Sequence, residues 1–382
     1  MRIAFGDFCD WDFNAQTPET MPLGGSQSAA CYLAQALARQ GHDVFFLTST
    51  QNPGRFAGVT CLAWSQTPPA VLRSLRLDAF VGLLGGANGR IMRGLLGPEA
   101  RLILWTQHRM DQAAVQFLDV TAERDAYDAI VFASEWQRAE FIPRFSLSPQ
   151  RTQVMPNGIA PAFEGMFADG QPILAQKATP PVMAYTSTPF RGLHLLVEAF
   201  PAIQAQVPGV RLRVFSSMKV YQVPAVADET DYGGLYQRCR QTPGIEYVGS
   251  LPQPALAREM RGVSVLAYPN VFAETFCIAA LEALASGCRV VTSALGALPD
   301  TTAGFARLVS VEQDAQDYLR EFVAETVSAL QVMQRREAAA EEQARRQVEY
   351  VQQNATWEIR ARQWAEWLKE LGAGSAAPVV AH

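Results

Sequence analysis

The sequence predicts an α/β protein with two doubly wound, parallel-sheet domains facing a cleft, and C-terminal helices packing back across them. Three observations carry this. Short apolar runs alternate with helical-period segments along most of the chain, which is the pattern of parallel α/β layers. The alternation stops after Pro156-Asn157-Gly158-Ile159 and then restarts. From about residue 311 the chain turns helical and rich in Ala, Glu, Gln and Arg.

Residues 3–5 form the first short apolar run. A helical pattern follows over 26–39, with Cys31, Leu33, Ala34, Leu37 and Ala38 on one side and Gly41 as its stop. Residues 44–47, 79–83, 102–105 and 129–132 read as further buried strands, and Ser134 caps a helix over 135–141. Residues 164–180 mix Gly, Pro and Ala without a sustained period and read as a connection. The second series has strands at 182–185, 211–215, 245–248, 263–269 and 288–292. Helices are expected over 193–203 and 255–261, and residues 222–243 read as a polar excursion. The expected division is therefore 1–165, a connection at 166–180, a second domain at 181–355, a crossing helix at 356–372 and a flexible tail at 373–382. Trp357, Trp364 and Trp367 give the last helix an apolar face, read as packing. Doubly wound sheets bind ligands beyond the carboxyl ends of their strands.

Of the 382 residues, 49% are hydrophobic and 18% charged, enough apolar material for ordinary cores. A net charge of −5 gives nucleic acid no footprint. The six cysteines are scattered, with no C-x-x-C pair, and read as small buried hydrophobes in a reducing compartment. The opening run lacks a basic segment followed by an apolar stretch, so no secretory signal is expected. No apolar run reaches the roughly 18 residues of a membrane span. A cytoplasmic protein is expected, with any membrane contact peripheral at the inner face.

The most informative pair is Glu274 and Glu282, with seven residues between them. Glu274 ends a loop after a strand; Glu282 lies in a helical run beside Ile278, Leu281 and Leu284. A carboxylate there is costly to bury without partners, which a hydroxyl-rich ligand would supply. The plainer alternative is an exposed helix position and a charge complementing a helix start. Gly24, Gly25 and Ser26 lie between the first strand and first helix, where backbone N–H groups suit a phosphate; an ordinary loop with Ser26 as cap competes. His108 follows a strand at its cleft end, against the alternative of an exposed loop histidine. Arg191, in Thr186-Ser187-Thr188-Pro189-Phe190-Arg191-Gly192, stands at a helix start and can bind phosphate through two N–H groups. Lys219 ends the next strand at the same edge, and Gly249-Ser250 follow the one after. Asp10-Trp11-Asp12 has the D-x-D form of a metal–diphosphate site but sits in a loop after the opening strand, so no metal is assigned.

Together these segments, from Gly24 to about Trp367, resemble retaining nucleotide-sugar glycosyltransferases of family 4, with the GT-B fold of two Rossmann-like domains. The resemblance implies a hexosyltransferase (EC 2.4) moving a sugar from a nucleotide diphosphate, UDP or GDP, to an acceptor hydroxyl in bacterial polysaccharide, glycolipid or glycoside synthesis. No cofactor is implied. It makes His108, Arg191 and Glu274 the catalytic candidates. Donor binding falls to Gly24, Gly25, Ser26, Ser187, Arg191, Lys219, Gly249, Ser250, Glu274, Thr275, Phe276, Cys277 and Glu282. Glu282 would take the ribose and Glu274 the sugar hydroxyls. The family often has Arg where this chain has Thr188, a departure for which Lys219 is the candidate replacement. A nucleotide-sugar epimerase, a phosphorylase on the same fold or a non-catalytic nucleotide-sugar-binding protein are the alternatives.

Overall fold

The computed structural model describes residues 1–83 and 88–373. The chain divides into two units. The first comprises Met1–Thr17, Gly25–Gly158 and the chain from Trp357; the second comprises Pro18–Gly24 and Ile159–Thr356.

The first unit holds an eight-stranded sheet. Its strands are β1 (Arg2–Gly6), β2 (Asp43–Thr48), β3 (Gly54–Phe56), β4 (Val59–Ala63), β5 (Ala79–Gly82), β6 (Arg101–Thr106), β7 (Ala129–Phe132) and β8 (Thr152–Val154). The order is β3-β4-β2-β1-β5-β6-β7-β8, and only the β3–β4 pairing is antiparallel. Central strands are buried on both faces, which is why they read as unbroken apolar runs. One face carries a cluster of Phe80, Leu102, Leu104, Ile130, Phe132, Phe141 and Phe145. The helix Glu135–Phe145 starts at the Ser134 cap, whose side chain accepts from Gln137 N–H. The last helix, Trp357–Ala373, packs within this unit: Trp364 meets Trp105 edge-on at 5.1 Å between ring centroids, and Glu358 pairs with Arg39 at 2.6 Å.

The second unit holds a six-stranded, all-parallel sheet of β9 (Val182–Tyr185), β10 (Arg211–Val214), β11 (Ile245–Tyr247), β12 (Val265–Tyr268), β13 (Arg289–Ser293) and β14 (Arg307–Val309). Its order, β11-β10-β9-β12-β13-β14, reverses between β9 and β12. That reversal is where a doubly wound sheet opens a crevice for a ligand.

One expectation is corrected. Residues 222–243 are mostly a helix, Ala225–Gln241, not an excursion. It buries Asp228, Gly233, Tyr236 and Cys239, so its inner face carries little aliphatic signal. Residues 166–180 lie within the second unit. Ile173 and Leu174 are buried against Met333, Ala340 and Ala344, and their N–H groups donate to the Glu341 carboxylate at 2.7 and 2.9 Å. The chain passes between units at Thr17–Pro18, Gly24–Gly25, Gly158–Ile159 and Thr356–Trp357. The tail expected at 373–382 lies, from residue 374, outside the described residues. Among the described residues no helix is long and apolar enough to cross a membrane. Cys9 is half-buried; the other five cysteines are buried, as read from the sequence.

Candidate functional site

A polar cluster of the second unit gathers at the carboxyl ends of β9 and β12. After β9 a 3-10 turn, Pro189–Arg191, leads through Gly192 into the helix Leu193–Gln206. Gly192 has φ +117°, and a Cβ there would run into the Pro269 carbonyl, so the turn lies flush against the end of β12. This close approach sets Arg191 against Glu274. Arg191 Nη1 donates to both carboxylate oxygens at 2.5 Å, and the Tyr268 hydroxyl donates to Glu274 Oε1 at 2.6 Å. Ser187 Oγ lies 3.3 Å from the same hydroxyl. The guanidinium also lies over the Phe272 ring at 4.5 Å, a cation–π contact. Burial opposes its charge, but the Glu274 carboxylate beside it holds Arg191 well above its ordinary pKa. Burial, then Glu274, likewise keep Tyr268 a phenol and a donor. Arg191 Nε is buried with no hydrogen-bond partner. Arg191 Nη2 lies 3.4 Å from the Tyr221 hydroxyl, which brings the 3-10 turn Met218–Tyr221 to the cluster. Lys219 is exposed on that turn. Ser217 opens it, accepting from Lys219 N–H, and its Oγ lies 2.7 Å from Ser250 Oγ, next to Gly249.

Glu274 owes its position to the loop after β13. The Glu274 carbonyl accepts from Ala297 N–H at 2.8 Å. Gly296, at φ +61°, lies so close that a Cβ would stand 2.5 Å from that carbonyl oxygen and 2.7 Å from Glu274 N. Left-handed backbone without glycine costs about 1–2 kcal/mol before any clash. Gly296→Ala is therefore expected to lower stability by about 1–3 kcal/mol and to displace Glu274. Thermal denaturation reads the first effect and donor KM the second; a variant matching wild type in both would dissociate the loop from the site.

Thr275 and Cys277 are buried, Phe276 is half-buried, and the helix Ile278–Ala285 begins with Cys277 in the capping position. Glu282 does not join Arg191 and Glu274. It is 4% exposed, and its Oε1 accepts from Ala160 N–H at 3.0 Å. Burial pushes its carboxyl up to about 8, the Ala160 bond acting against the shift.

The first unit holds the remaining candidates other than Gly24. The helix there is Gly25–Arg39, so Ser26 lies within its first turn rather than capping it; Gly25 is exposed and Gly24, assigned to the second unit, is buried. His108 follows β6, its N–H donating to Thr106 Oγ1 at 3.3 Å and its carbonyl accepting from Gln137 Nε2 at 2.8 Å. Burial lowers the imidazole pKa, against an opposing pull from Asp7, so the ring is neutral near pH 7. Asp12 accepts from Gln51 N–H at 2.8 Å. Among the described residues no group of three or more His, Cys, Asp or Glu is placed to hold a metal.

Residues 181–329, which contain this cluster, match the sequence pattern of the family described as glycosyl transferases group 1. Over those residues the chain carries the group 1 glycosyltransferase pattern. Solved structures share its fold over nearly its whole length. The sucrose-phosphate synthase of Thermosynechococcus elongatus is 19% identical, with a TM-score of 0.68 over 98% of this chain and 99% of that one. HepE of Anabaena, solved with UDP, is 14% identical, with a TM-score of 0.67 over 97% and 100%. WaaG, a glycosyltransferase involved in lipopolysaccharide biosynthesis, is 15% identical, with a TM-score of 0.65 over 96% and 99%. No curated protein matches. The two sheets with C-terminal helices packing back are the GT-B fold, as the sequence predicts.

Sequence reasoning missed three residues of this glycosyltransferase's polar clusters. Tyr268 and Tyr221 read as strand and loop aromatics, and nothing local marks their hydroxyls as bound to Glu274 and Arg191. Asp7 carried a usable signal: a charged residue directly after an apolar strand. It is fully buried, accepting from Cys9 N–H at 2.9 Å and Gln27 Nε2 at 3.0 Å.

Proposed function

We propose that this glycosyltransferase moves a hexosyl unit from a UDP-sugar to an acceptor hydroxyl with retention of anomeric configuration, in synthesis of a bacterial polysaccharide, glycolipid or glycoside. The observation that carries the reading is the buried Arg191–Glu274–Tyr268 cluster at the strand-order reversal of the second sheet. Glu274 holds Arg191 in one orientation, so the guanidinium meets developing negative charge without reorganising, the condition under which electrostatic stabilisation accelerates a reaction most. Its buried, unpartnered Nε is a donor left for an anion. The charge that develops is that of the leaving diphosphate, and the start of the Ile278–Ala285 helix, after Thr275, Phe276 and Cys277, adds the favourable end of a helix dipole.

The step breaks the bond from the sugar's anomeric carbon to the diphosphate oxygen and forms one to the acceptor oxygen on the same face. The departing phosphate oxygen takes the acceptor proton. The oxocarbenium-like centre between is flanked by Glu274, whose carboxylate also accepts from sugar hydroxyls. Glu282 receives the ribose diol, Ser187 and Gly24 support the diphosphate, and Gly249 and Ser250 hold the base. In the first unit, Gly25 and Ser26 offer backbone N–H groups suited to an anion, and His108 offers a neutral ring suited to a hydroxyl. Arg191 and Lys219 carry the charge role that a metal fills elsewhere. UDP is preferred over GDP because HepE, of the same fold, was solved with UDP and with UDP and glucose.

Melting curves with UDP, GDP, ADP and their sugars test the reading. A ligand at 100 times its Kd stabilises the native state by about 2.7 kcal/mol. UDP and one UDP-sugar should raise Tm, and the UDP-sugar should be consumed when an acceptor is supplied. No shift with any nucleoside diphosphate would overturn it.

A further inference from the structure

The turn bearing Lys219 is anchored far more firmly than an exposed lysine requires. Where the resembled family often has a cation, this chain has Thr188, whose buried hydroxyl finds no hydrogen-bond partner. Lys219 stands on the neighbouring turn, whose Tyr221 hydroxyl touches Arg191. Backbone groups along that turn are held one by one. Ser216 carbonyl accepts from Tyr247 OH at 2.8 Å, and Met218 N–H donates to Asp228 Oδ2 at 3.0 Å. Lys219 N–H donates to Ser217 Oγ at 3.3 Å, and the Lys219 carbonyl accepts from Gln222 N–H at 2.9 Å.

Asp228 is the centre of this anchoring. It is 8% exposed, in the first turn of the Ala225–Gln241 helix, and its other oxygen accepts from Tyr236 OH at 2.7 Å. Tyr236 stacks on Tyr247 at 4.6 Å, so the phenol that donates to Asp228 braces the one that donates to the Ser216 carbonyl. A carboxylate is costly to bury, and two donors offset that cost here. A lysine side chain loses considerable rotamer freedom when it binds an anion. Fixing its backbone beforehand removes one part of that ordering, which is how preorganisation raises affinity.

We propose that Asp228 is a positioning residue that fixes the Met218–Tyr221 turn so that Lys219 serves as the second cation for the donor diphosphate beside Arg191. This rests on the nucleotide-sugar reading of the Arg191 site.

Calorimetry on the full chain tests it with UDP against UMP, and GDP against GMP in parallel. Lys219→Ala should weaken diphosphate binding about tenfold, the lower end for a hydrogen bond to a charged group, and monophosphate binding by no more than about twofold, since the lost contact is to the outer phosphate. Asp228→Ala should reproduce that selective loss, and the double variant should be no weaker than either single one. Asp228→Asn should restore most of the affinity, because its amide oxygen still accepts from Met218 N–H. Tyr236→Phe, which keeps the aromatic stack, covers the case in which Asp228→Ala does not fold; it should give an intermediate loss with the same selectivity. Additive losses, or equal losses for diphosphate and monophosphate, overturn the proposal, since a merely structural aspartate would give them. Undiminished diphosphate binding by Lys219→Ala overturns it while leaving the Arg191 site standing. Failure of the wild type to bind any diphosphate overturns both.

Discussion

Arg191→Ala is expected to lower kcat by about 10²–10³-fold, the range found when one preorganised donor to a developing oxyanion is removed. It should also lower stability, because Arg191 is not a free surface cation. Its side chain is 20% exposed and that of its partner Glu274 only 5%. Removing one member of a buried pair leaves an uncompensated charge, at a cost of about 3–5 kcal/mol. Glu274 would keep only the Tyr268 hydroxyl and any water that enters. The two losses separate in one series. Denaturant unfolding reads stability, and turnover is measured where the variant is fully folded. The double variant Arg191→Met with Glu274→Leu removes the pair altogether. It should recover much of the stability while turnover stays lost, since replacing a buried ion pair by apolar groups is often neutral or better. A double variant that regained activity, or a single variant with wild-type kcat, would leave the cluster a structural ion pair and move the phosphate role to Lys219.

How much of this was legible in the sequence depends on which residues carried it. Central strands such as β9 and β12 are buried on both faces and read as apolar runs, so the two-sheet plan was visible. The edge strands β3, β8, β11 and β14 are three residues each, too short to show a period, and of these β11 alone is read from the sequence, within the run 245–248. The Ala225–Gln241 helix was hidden because its buried side holds Asp228 and Tyr236, which face each other instead of an aliphatic core. Arg191, Glu274 and Glu282 stood out because charge in a strand-end or apolar context needs explaining. That Arg191 and Glu274 bind each other could not be read, because 82 residues lie between them and the meeting depends on Gly192 lying flush on Pro269. Nor could the separation of Glu282 from Glu274. Seven intervening residues fix their distance along the chain, but Glu274 precedes the helix and meets Arg191 and Tyr268, while Glu282 lies within it and meets Ala160 N–H.

Glu282→Gln is expected to remove the loss of stability with rising pH that Glu282 imposes on the protein. The Glu282 carboxyl has an ordinary value of 4.5 and is pushed up to about 8 in the fold by burial, against the single Ala160 bond. Between these values the native state binds a proton that the unfolded chain releases. The number bound is then larger in the native state, so unfolding free energy falls as pH rises. The contribution is fully present below about pH 4.5, declines through the neutral range and is gone above about pH 8. At about 1.4 kcal/mol per unit the total is on the order of 3–5 kcal/mol. A glutamine keeps the acceptor for Ala160 N–H and cannot ionise. The variant should match wild type near pH 5 and exceed it near pH 9, as read by denaturant unfolding at each pH; parallel curves would refute the buried, protonated state. Nucleotide binding supplies the second readout. A ribose diol donating to Glu282 favours the ionised carboxylate, so at pH 7 binding should expel close to one proton. Calorimetry in phosphate and Tris, whose ionisation heats differ, would show it as a buffer-dependent enthalpy. Glu282→Gln should abolish that dependence and weaken binding by about 1.5–3 kcal/mol. Buffer-independent heat in the wild type with unchanged affinity in the variant would take Glu282 off the ribose, leaving it as the clamp on Ala160 where the second unit begins.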